Sequence, residues 1–202
     1  MSNVWFTADT HFFHRAMAAT GKGWRPFATV EEHNEALIER WNKVVKPEDQ
    51  VWHLGDVGMG PEMDILDMVG RLNGSKHLVA GNHDKCWAGE RDAHKHQGLW
   101  MSFFDSVQSF ARRRLDSNTN FLLSHFPYVG DHTEQQRYDQ YRLRDQGLWL
   151  VHGHVHDAWK VQGRQLNVGV DVWDFAPVHL DQVVDVIRAK RSDGAGEWRE
   201  TA

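Results

Sequence analysis

Seven residues that commonly bind metal ions each follow an apolar stretch of this chain. They are two aspartates, one asparagine and four histidines: Asp9, His11, Asp56, Asn82, His125, His154 and His156. Imidazole combined with carboxylate is the ligand chemistry of Zn, Mn, Fe or Ni, whereas Mg and Ca prefer oxygen ligands alone. Seven protein ligands exceed what one tetrahedral ion accepts. The set therefore predicts two ions that share one bridging carboxylate.

The spacing within two motifs supports a shared site. Asp9 and His11 are separated by one residue, and so are His154 and His156. On an extended chain, residues i and i+2 point to the same side. We therefore expect both side chains of each pair to reach the same metal centre.

The apolar stretches that precede these residues are typical of buried strands. They cover residues 4–8, 50–54, 76–80, 121–124 and 148–152, and each has the length and the aliphatic or aromatic content of a strand in a sheet core. In α/β folds, ligands bind at the carboxyl ends of the strands, where the loops converge. This arrangement would bring the seven residues together.

Helical periodicity separates the first strands. Apolar residues recur at helical spacing over residues 30–45, 61–72 and 181–191. The alternation of strands and helices up to residue 80 predicts a parallel sheet, and further strands over residues 105–115 and 165–172 predict a second sheet packed on it. The length predicts one domain over residues 1–191, followed by a frayed tail over residues 192–202.

The composition is that of a globular chain and excludes some functions. The 202 residues include 23 basic and 28 acidic side chains, and the net charge of −5 argues against a sequence-independent nucleic-acid binder. The single cysteine cannot form an internal disulfide, which fits a reducing cytosol. We find no signal peptide and no apolar run long enough for a membrane span. A cytoplasmic protein without a membrane partner is therefore expected.

The same residues, in this order, resemble the signature of the calcineurin-like metallophosphoesterase superfamily. The matching motifs are Asp9-x-His11, Gly55-Asp56, Gly81-Asn82-His83-Asp84, His125 and Gly153-His154-x-His156. The resemblance spans about residues 3–180, and the chain is similar in size to the small single-domain bacterial and phage members. It implies an α/β fold of two stacked mixed β-sheets flanked by helices, a four-layer sandwich with a dinuclear metal centre at the strand ends.

The resemblance also implies which residues hold which ion. One ion would be held by Asp9, His11 and His156, the other by Asn82, His125 and His154, and Asp56 would bridge them. Two divalent transition-metal ions per chain are expected. Mn is the favoured metal, with Fe, Zn, Ni and Co as alternatives, and no other cofactor is predicted.

Two divalent ions and two carboxylates leave a locally cationic site, which suits a phosphate ester. Such ions lower the pKa of a shared water, and the resulting hydroxide attacks phosphorus in line. His83 follows the ligand Asn82 and has no metal assignment, so it is the predicted general acid, with Asp84 orienting and charging its ring. In the resembling family, a histidine at this position has that role.

The substrate is predicted only by class. His14, Arg25 and Tyr128 are predicted to contact it, and segment 126–146 is predicted to cover it. A phosphodiester is favoured because no cap domain is available to enclose a small monoester. A phosphomonoesterase or a nuclease acting on a nucleotide or nucleic acid stays open, and the complete ligand set argues against a non-catalytic scaffold. Five other histidines are predicted to be exposed: His33, His94, His96, His132 and His179.

Overall fold

The computed structural model describes residues 2–18, 25–116 and 119–192 and contains ten strands. They are β1 (Val4–Thr7), β2 (Gln50–His53), β3 (Ser75–Val79), β4 (Ser106–Gln108), β5 (Ala111–Asp116), β6 (Thr119–Leu123), β7 (Trp149–His152), β8 (Val161–Gln162), β9 (Gln165–Asn167) and β10 (Val178–His179). The α-helices are α1 (Arg15–Ala18), α2 (Val30–Val44), α3 (Glu62–Gly70), α4 (Ala93–Trp100) and α5 (Leu180–Ser192), and 3₁₀ helices occupy Asp139–Tyr141 and Val170–Val172. Within these ranges, no helix is both long and apolar enough to cross a membrane. Residues 193–202, which belong to the predicted frayed tail, lie outside the described residues.

The first sheet has the predicted parallel core. Strands β1, β2, β3 and β4 run parallel side by side, and β10 pairs antiparallel with β1 at the edge. Alternate residues of β2 face opposite sides: Val51 packs in the core that α2 and α3 cover, whereas Trp52 packs toward the second sheet. Thr29 caps α2 by accepting a hydrogen bond from the backbone N–H of Glu32.

The second sheet has the order β5-β6-β7-β9-β8. Its three central strands are parallel, and both edge strands pair antiparallel. Phe6 of the first sheet meets Phe121 of the second with ring centroids 5.8 Å apart, and Trp149 and Leu166 are fully buried in the same core. The structure confirms the predicted α/β fold of two stacked mixed sheets flanked by helices.

Two predicted strands were wrong in their extent. The predicted strand 105–115 is two strands, because β4 ends in the first sheet at Gln108 and β5 begins in the second at Ala111. The predicted strand 165–172 ends at Asn167, whose side-chain oxygen accepts the backbone N–H of Gly169 and turns the chain into a 3₁₀ helix. The sequence analysis also missed α1, α4, β8 and β10, which are too short or too polar to show periodicity.

Candidate metal centre

Six of the seven predicted ligands form two compact groups beyond the carboxyl ends of the strands. Potential ligand atoms lie within 4.8 Å of one another in each group, which are Asp9 with His11 and His156, and Asp56 with His125 and His154. All six residues are buried. The first sheet contributes the loops after β1 and β2, and the second sheet contributes those after β6 and β7. Both sheets are therefore needed to build the cluster.

Asp56 belongs to the second group and also approaches the first. Its Oδ2 atom is 3.7 Å from Nε2 of His11 in one group and 3.4 Å from Nε2 of His125 in the other. Asn82 adds an amide oxygen on the second side, where its Oδ1 atom is 3.2 Å from Nε2 of His125. Asp56 would therefore be available as a ligand to ions held by either group.

The backbone that presents these ligands is strained. Five of the seven have a left-handed φ: Asp9 (57°), His11 (48°), Asp56 (56°), His154 (72°) and His156 (49°). Each such residue costs on the order of 1–3 kcal/mol. The argument that an extended chain aligns residues i and i+2 was wrong, because β1 ends at Thr7 and β7 ends at His152. Left-handed backbone rather than a strand presents each pair, and it places Asp9 and His11 in one group but His154 and His156 in different groups.

Asp84 holds the turn that carries Asp56. Its buried carboxylate accepts hydrogen bonds from the backbone N–H groups of Asp56 (3.0 Å), Val57 (2.8 Å) and Gly81 (2.8 Å). The sequence analysis expected this carboxylate to orient the ring of His83. The contacts instead show that Asp84 joins the loops after β2 and β3.

Two glycines allow the loops to approach each other. A Cβ atom at Gly153 would lie 2.7 Å from Oδ2 of Asp9, and one at Gly81 would overlap the carboxylate of Asp56. Neither contact is compatible with a side chain unless the ligand moves. Glycine at these positions therefore serves the close packing of the ligands.

The chemistry of the cluster fits divalent transition-metal ions. His11 is 2% exposed, and neither of its ring nitrogens makes a hydrogen bond with a described residue. A buried polar group without a partner costs free energy, which coordination of an ion would offset. Imidazole, carboxylate and amide oxygen together are a donor set for Mn, Fe or Zn. The residues present thus suit the ions that the sequence predicts.

Burial sets the electrostatics of the cluster. It raises the pKa of Asp9 to about 6 and lowers the pKa of His11 well below its usual value. Burial would also lower the pKa of His125, but the adjacent Asp56 carboxylate outweighs it and raises that pKa to about 9. The protein therefore compensates the buried charge of Asp56 with a protonated imidazole. A divalent cation would replace that proton.

Two imidazoles outside the predicted ligand set border the cluster. The side chain of His83 is 39% exposed, with Nε2 3.9 Å from Oδ2 of Asp56 and its ring 5.5 Å from that of His11. His14 is half-buried, and its ring lies 5.3 Å from that of His11. Both can meet a group that approaches the cluster from solvent.

Arg25, another predicted substrate contact, is engaged inside the protein. It is 3% exposed, and its guanidinium forms a bidentate pair with Asp171 at 2.8 and 2.9 Å. It also donates to the backbone carbonyl oxygens of Asp9 (2.6 Å) and Thr10 (2.8 Å). These contacts indicate that Arg25 supports the turn carrying Asp9.

The predicted lid, segment 126–146, packs against the site. Tyr138 packs against Trp87 and lies with its ring 5.6 Å from that of His154. Tyr128, predicted to contact substrate, is buried and donates its O–H to the carbonyl oxygen of Leu148 at 3.2 Å. These contacts make the segment a wall beside His154.

The prediction that His33 is exposed was wrong. His33 is fully buried in α2, with Nε2 2.7 Å from Nη1 of Arg25. It lies in a polar run of the sequence, so no local pattern reveals its burial. His132 is also more enclosed than predicted: its side chain is 20% exposed, and its ring lies 4.8 Å from that of His156.

Two aspartates with buried side chains, Asp131 and Asp171, contact the site although neither was among the predicted site residues. Asp131 contacts His154 and Asp171 contacts His156, both among the predicted ligands. The only local signal was the Asp131-His132 pair, an Asp-His dipeptide in the predicted lid. Asp171 carries no such signal, because its partners are distant in the sequence.

Comparisons with known proteins identify the family and the fold. The model of the calcineurin-like phosphoesterase superfamily domain matches residues 3–172. The chain is 42% identical to the Gene 66 protein of Mycobacterium phage D29, covering 93% of this chain and 96% of that protein. It is 30% identical to an uncharacterized protein of Methanocaldococcus jannaschii, covering 93% and 92% of the two chains. A solved structure of a protein of unknown function from Aquifex aeolicus has the same fold, with a TM-score of 0.64, 24% identity and coverage of 93% of this chain and 100% of that one.

Proposed function

We propose that this chain, a member of the calcineurin-like phosphoesterase superfamily, is a dinuclear enzyme that cleaves phosphodiesters. Membership of the family makes it a metal-dependent hydrolase of phosphoric esters. The observation that carries the proposal is the pair of buried ligand groups that meet at Asp56, which belongs to one group and lies 3.7 Å from His11 of the other. Two ions bring four positive charges, and Asp9 and Asp56 bring two negative ones. The resulting positive site would attract a phosphate ester to an otherwise acidic protein.

Each ligand group would hold one ion. Asp9, His11 and His156 would hold the first, and Asn82, His125 and His154 the second, with Asp56 between them. When bound, two such ions lower the pKa of a shared water and neutralise the phosphoryl oxygens. Mn²⁺ is the proposed metal, because the donor set combines imidazole nitrogen with oxygen ligands.

His83 is the proposed general acid. Its backbone N–H donates to Oδ1 of Asp56 at 2.9 Å, which holds the residue beside the cluster. Its partly exposed ring can reach a leaving group on the solvent side. Histidine is a common general acid in enzymes, so His83 is proposed to protonate the departing oxygen.

One further feature supports the proposal, and two related proposals concern the domain and the location of the protein. The part of the chain that the structure describes holds no separate domain over the cluster, which favours an extended diester over an enclosed monoester. Residues 1–191 are proposed to act as one domain, since both sheets supply ligands. A cytoplasmic location is proposed because the single cysteine, Cys86, is free and buried.

Metal reconstitution tests the proposal. Protein freed of metal and reloaded with Mn²⁺ should bind two ions per chain and hydrolyse bis-p-nitrophenyl phosphate faster than p-nitrophenyl phosphate. Asp67→Asn, an exposed position on α3, is the matched control. Binding of one ion at saturation would contradict the dinuclear centre, and a preference for the monoester would indicate a phosphatase.

A further inference from the structure

Two carboxylates outside the predicted ligand set each contact one histidine of the His154-x-His156 pair. Oδ2 of Asp131 lies 3.1 Å from Nε2 of His154, and Oδ2 of Asp171 lies 3.5 Å from Nδ1 of His156. The side chain of Asp131 is fully buried, and that of Asp171 is 6% exposed. Both contacts are therefore shielded from water, which strengthens their effect on the rings.

Each of these carboxylates is held by arginine. Nη2 of Arg137 lies 2.9 Å from Oδ1 of Asp131, and Nη2 of Arg142 lies 3.3 Å from its Oδ2 atom. Arg25 donates hydrogen bonds from two of its nitrogens to the carboxylate of Asp171. A buried carboxylate with guanidinium partners is anionic, and an anionic carboxylate only accepts hydrogen bonds. His154 must therefore supply the proton in its hydrogen bond to Asp131. The negative charge of Asp171, 3.5 Å from Nδ1 of His156, favours a proton on that nitrogen.

Asp131, His132 and His154 also lie close enough together to be considered as a third metal group. The contacts argue against an ion there. Besides the two arginines, the carboxylate of Asp131 accepts the backbone N–H groups of His132 (2.9 Å) and Arg137 (3.2 Å). Its lone pairs are thus occupied, and the guanidinium charges would repel a divalent cation. Asp131 acts as an acceptor for His154 rather than as a metal ligand.

We propose that Asp131 and Asp171 are positioning residues that hold the protons and the orientations of His154 and His156, one carboxylate for each ion. A carboxylate at one ring nitrogen keeps the proton there, so the other nitrogen keeps its lone pair. Asp131 holds the proton of His154 on Nε2, and Asp171 holds that of His156 on Nδ1. This inference rests on the proposed function, because it assigns the two histidines to different ions.

The test compares Asp131→Asn and Asp171→Asn with Asp145→Asn. Asp145 lies in the same segment as Asp131 and pairs with Arg164 at the surface, so its variant is the matched control. Mn²⁺ affinity is measured for each ion by competition with a chelator dye. We expect each of the first two variants to lower the affinity for one ion by about 10–100-fold and to leave the affinity for the other ion unchanged.

A second readout separates positioning from general destabilisation. In metal-free protein labelled with ¹⁵N-histidine, NMR should show His154 protonated at Nε2, and Asp131→Asn should populate both tautomers. The affinity loss in Asp131→Asn should also not add to that in His154→Ala, since both act through one ring. Additive losses would show that Asp131 acts elsewhere.

The two proposals fail in different ways. Wild-type protein that binds fewer than two ions would overturn the dinuclear function. Wild-type protein that binds two ions, with both asparagine variants matching Asp145→Asn in affinity and the tautomer of His154 unchanged, would overturn the positioning roles alone. If Asp171→Asn does not fold, the affinity and NMR measurements on Asp131→Asn decide the proposal.

Discussion

The two ends of the first sheet both bury aspartates, but they surround them differently. At the amino end, Asp49 is 1% exposed and precedes β2. Its carboxylate accepts hydrogen bonds from the backbone N–H groups of Asn3 (2.8 Å) and Lys46 (3.0 Å) and from the indole of Trp5 (3.0 Å). The protein itself satisfies this charge.

At the carboxyl end, the protein does not provide such partners for every polar group. Asp56 faces imidazoles at 3.4 to 3.9 Å, and both ring nitrogens of His11 lack a hydrogen bond among the described residues. Burial is similar at the two ends, so burial alone does not mark a functional site. What differs is whether the chain supplies hydrogen-bond partners for its buried polar groups. The carboxyl end, where some of these groups lack such partners, is where we expect a ligand to bind.

The largest effect should come from the bridging position. Asp56→Asn removes the charge between the two ligand groups, and we expect hydrolysis to fall by about 10⁴-fold, because metal ions supply several kcal/mol of transition-state stabilisation. Removal of metal by a chelator should have the same effect on the wild type. The melting temperature of the metal-free variant should fall only slightly, because the attraction between Asp56 and His125 is lost together with the cost of burying a charge. A large drop in that temperature would make Asp56 structural, like Asp49.

The next effect concerns proton donation. His83→Ala should slow hydrolysis of an alkyl or nucleoside ester by about 10²–10⁴-fold, the range of general acid catalysis. p-Nitrophenyl esters should be affected much less, because p-nitrophenolate leaves without a proton. Metal content should stay at the wild-type level. His94→Ala, at an exposed histidine on α4, is the control, and equal losses for both leaving groups would point to phosphate or metal binding instead.

At the amino end, stability should change rather than activity. Burial would raise the pKa of Asp49, but its hydrogen bonds outweigh this and lower it to about 2. A depressed folded-state pKa stabilises the protein above the unfolded value, and this contribution is lost as pH falls from about 4 to 2. It amounts to about 2 kcal/mol at neutral pH. Urea unfolding should therefore show Asp49→Asn less stable at pH 7, with a smaller difference near pH 2 and unchanged activity.

The smallest effect is expected for Asp84→Asn. Asp84 lies beside the predicted ligands, as Asp56 does, but its carboxylate is satisfied by backbone N–H groups, as that of Asp49 is. The amide has one acceptor oxygen for three backbone N–H groups, so the turn carrying Asp56 should loosen. We expect activity to fall by about tenfold, equally for good and poor leaving groups. A loss confined to poor leaving groups would restore the role first expected for Asp84, as the partner of His83.

The sequence predicted those parts of the molecule that depend on local patterns. The strands that lead to Asp9, Asp56 and His125 end within one or two residues of their expected positions, because apolar runs with polar ends are readable. Asp131 and Asp171 were missed because their roles depend on residues brought together only by folding. The left-handed φ values were missed for another reason: Asp and His adopt them more often than most residues but still uncommonly, and tertiary contacts impose them here.

Residues that contact one another at the site are far apart in the sequence, and this separation has a consequence for biosynthesis. Arg25 and Asp171 are 146 residues apart, and the backbone N–H of His154 donates to the carboxylate of Asp9 across 145 residues. Contacts of such separation form late, after the entropy of closing long loops has been overcome. A nascent chain in which only β1 to β4 have emerged from the ribosome lacks His156 of one ligand group and both His125 and His154 of the other. Both ligand groups are therefore complete only after the loop that follows β7 has been synthesised, and a chain truncated before β7 should emerge without either complete site.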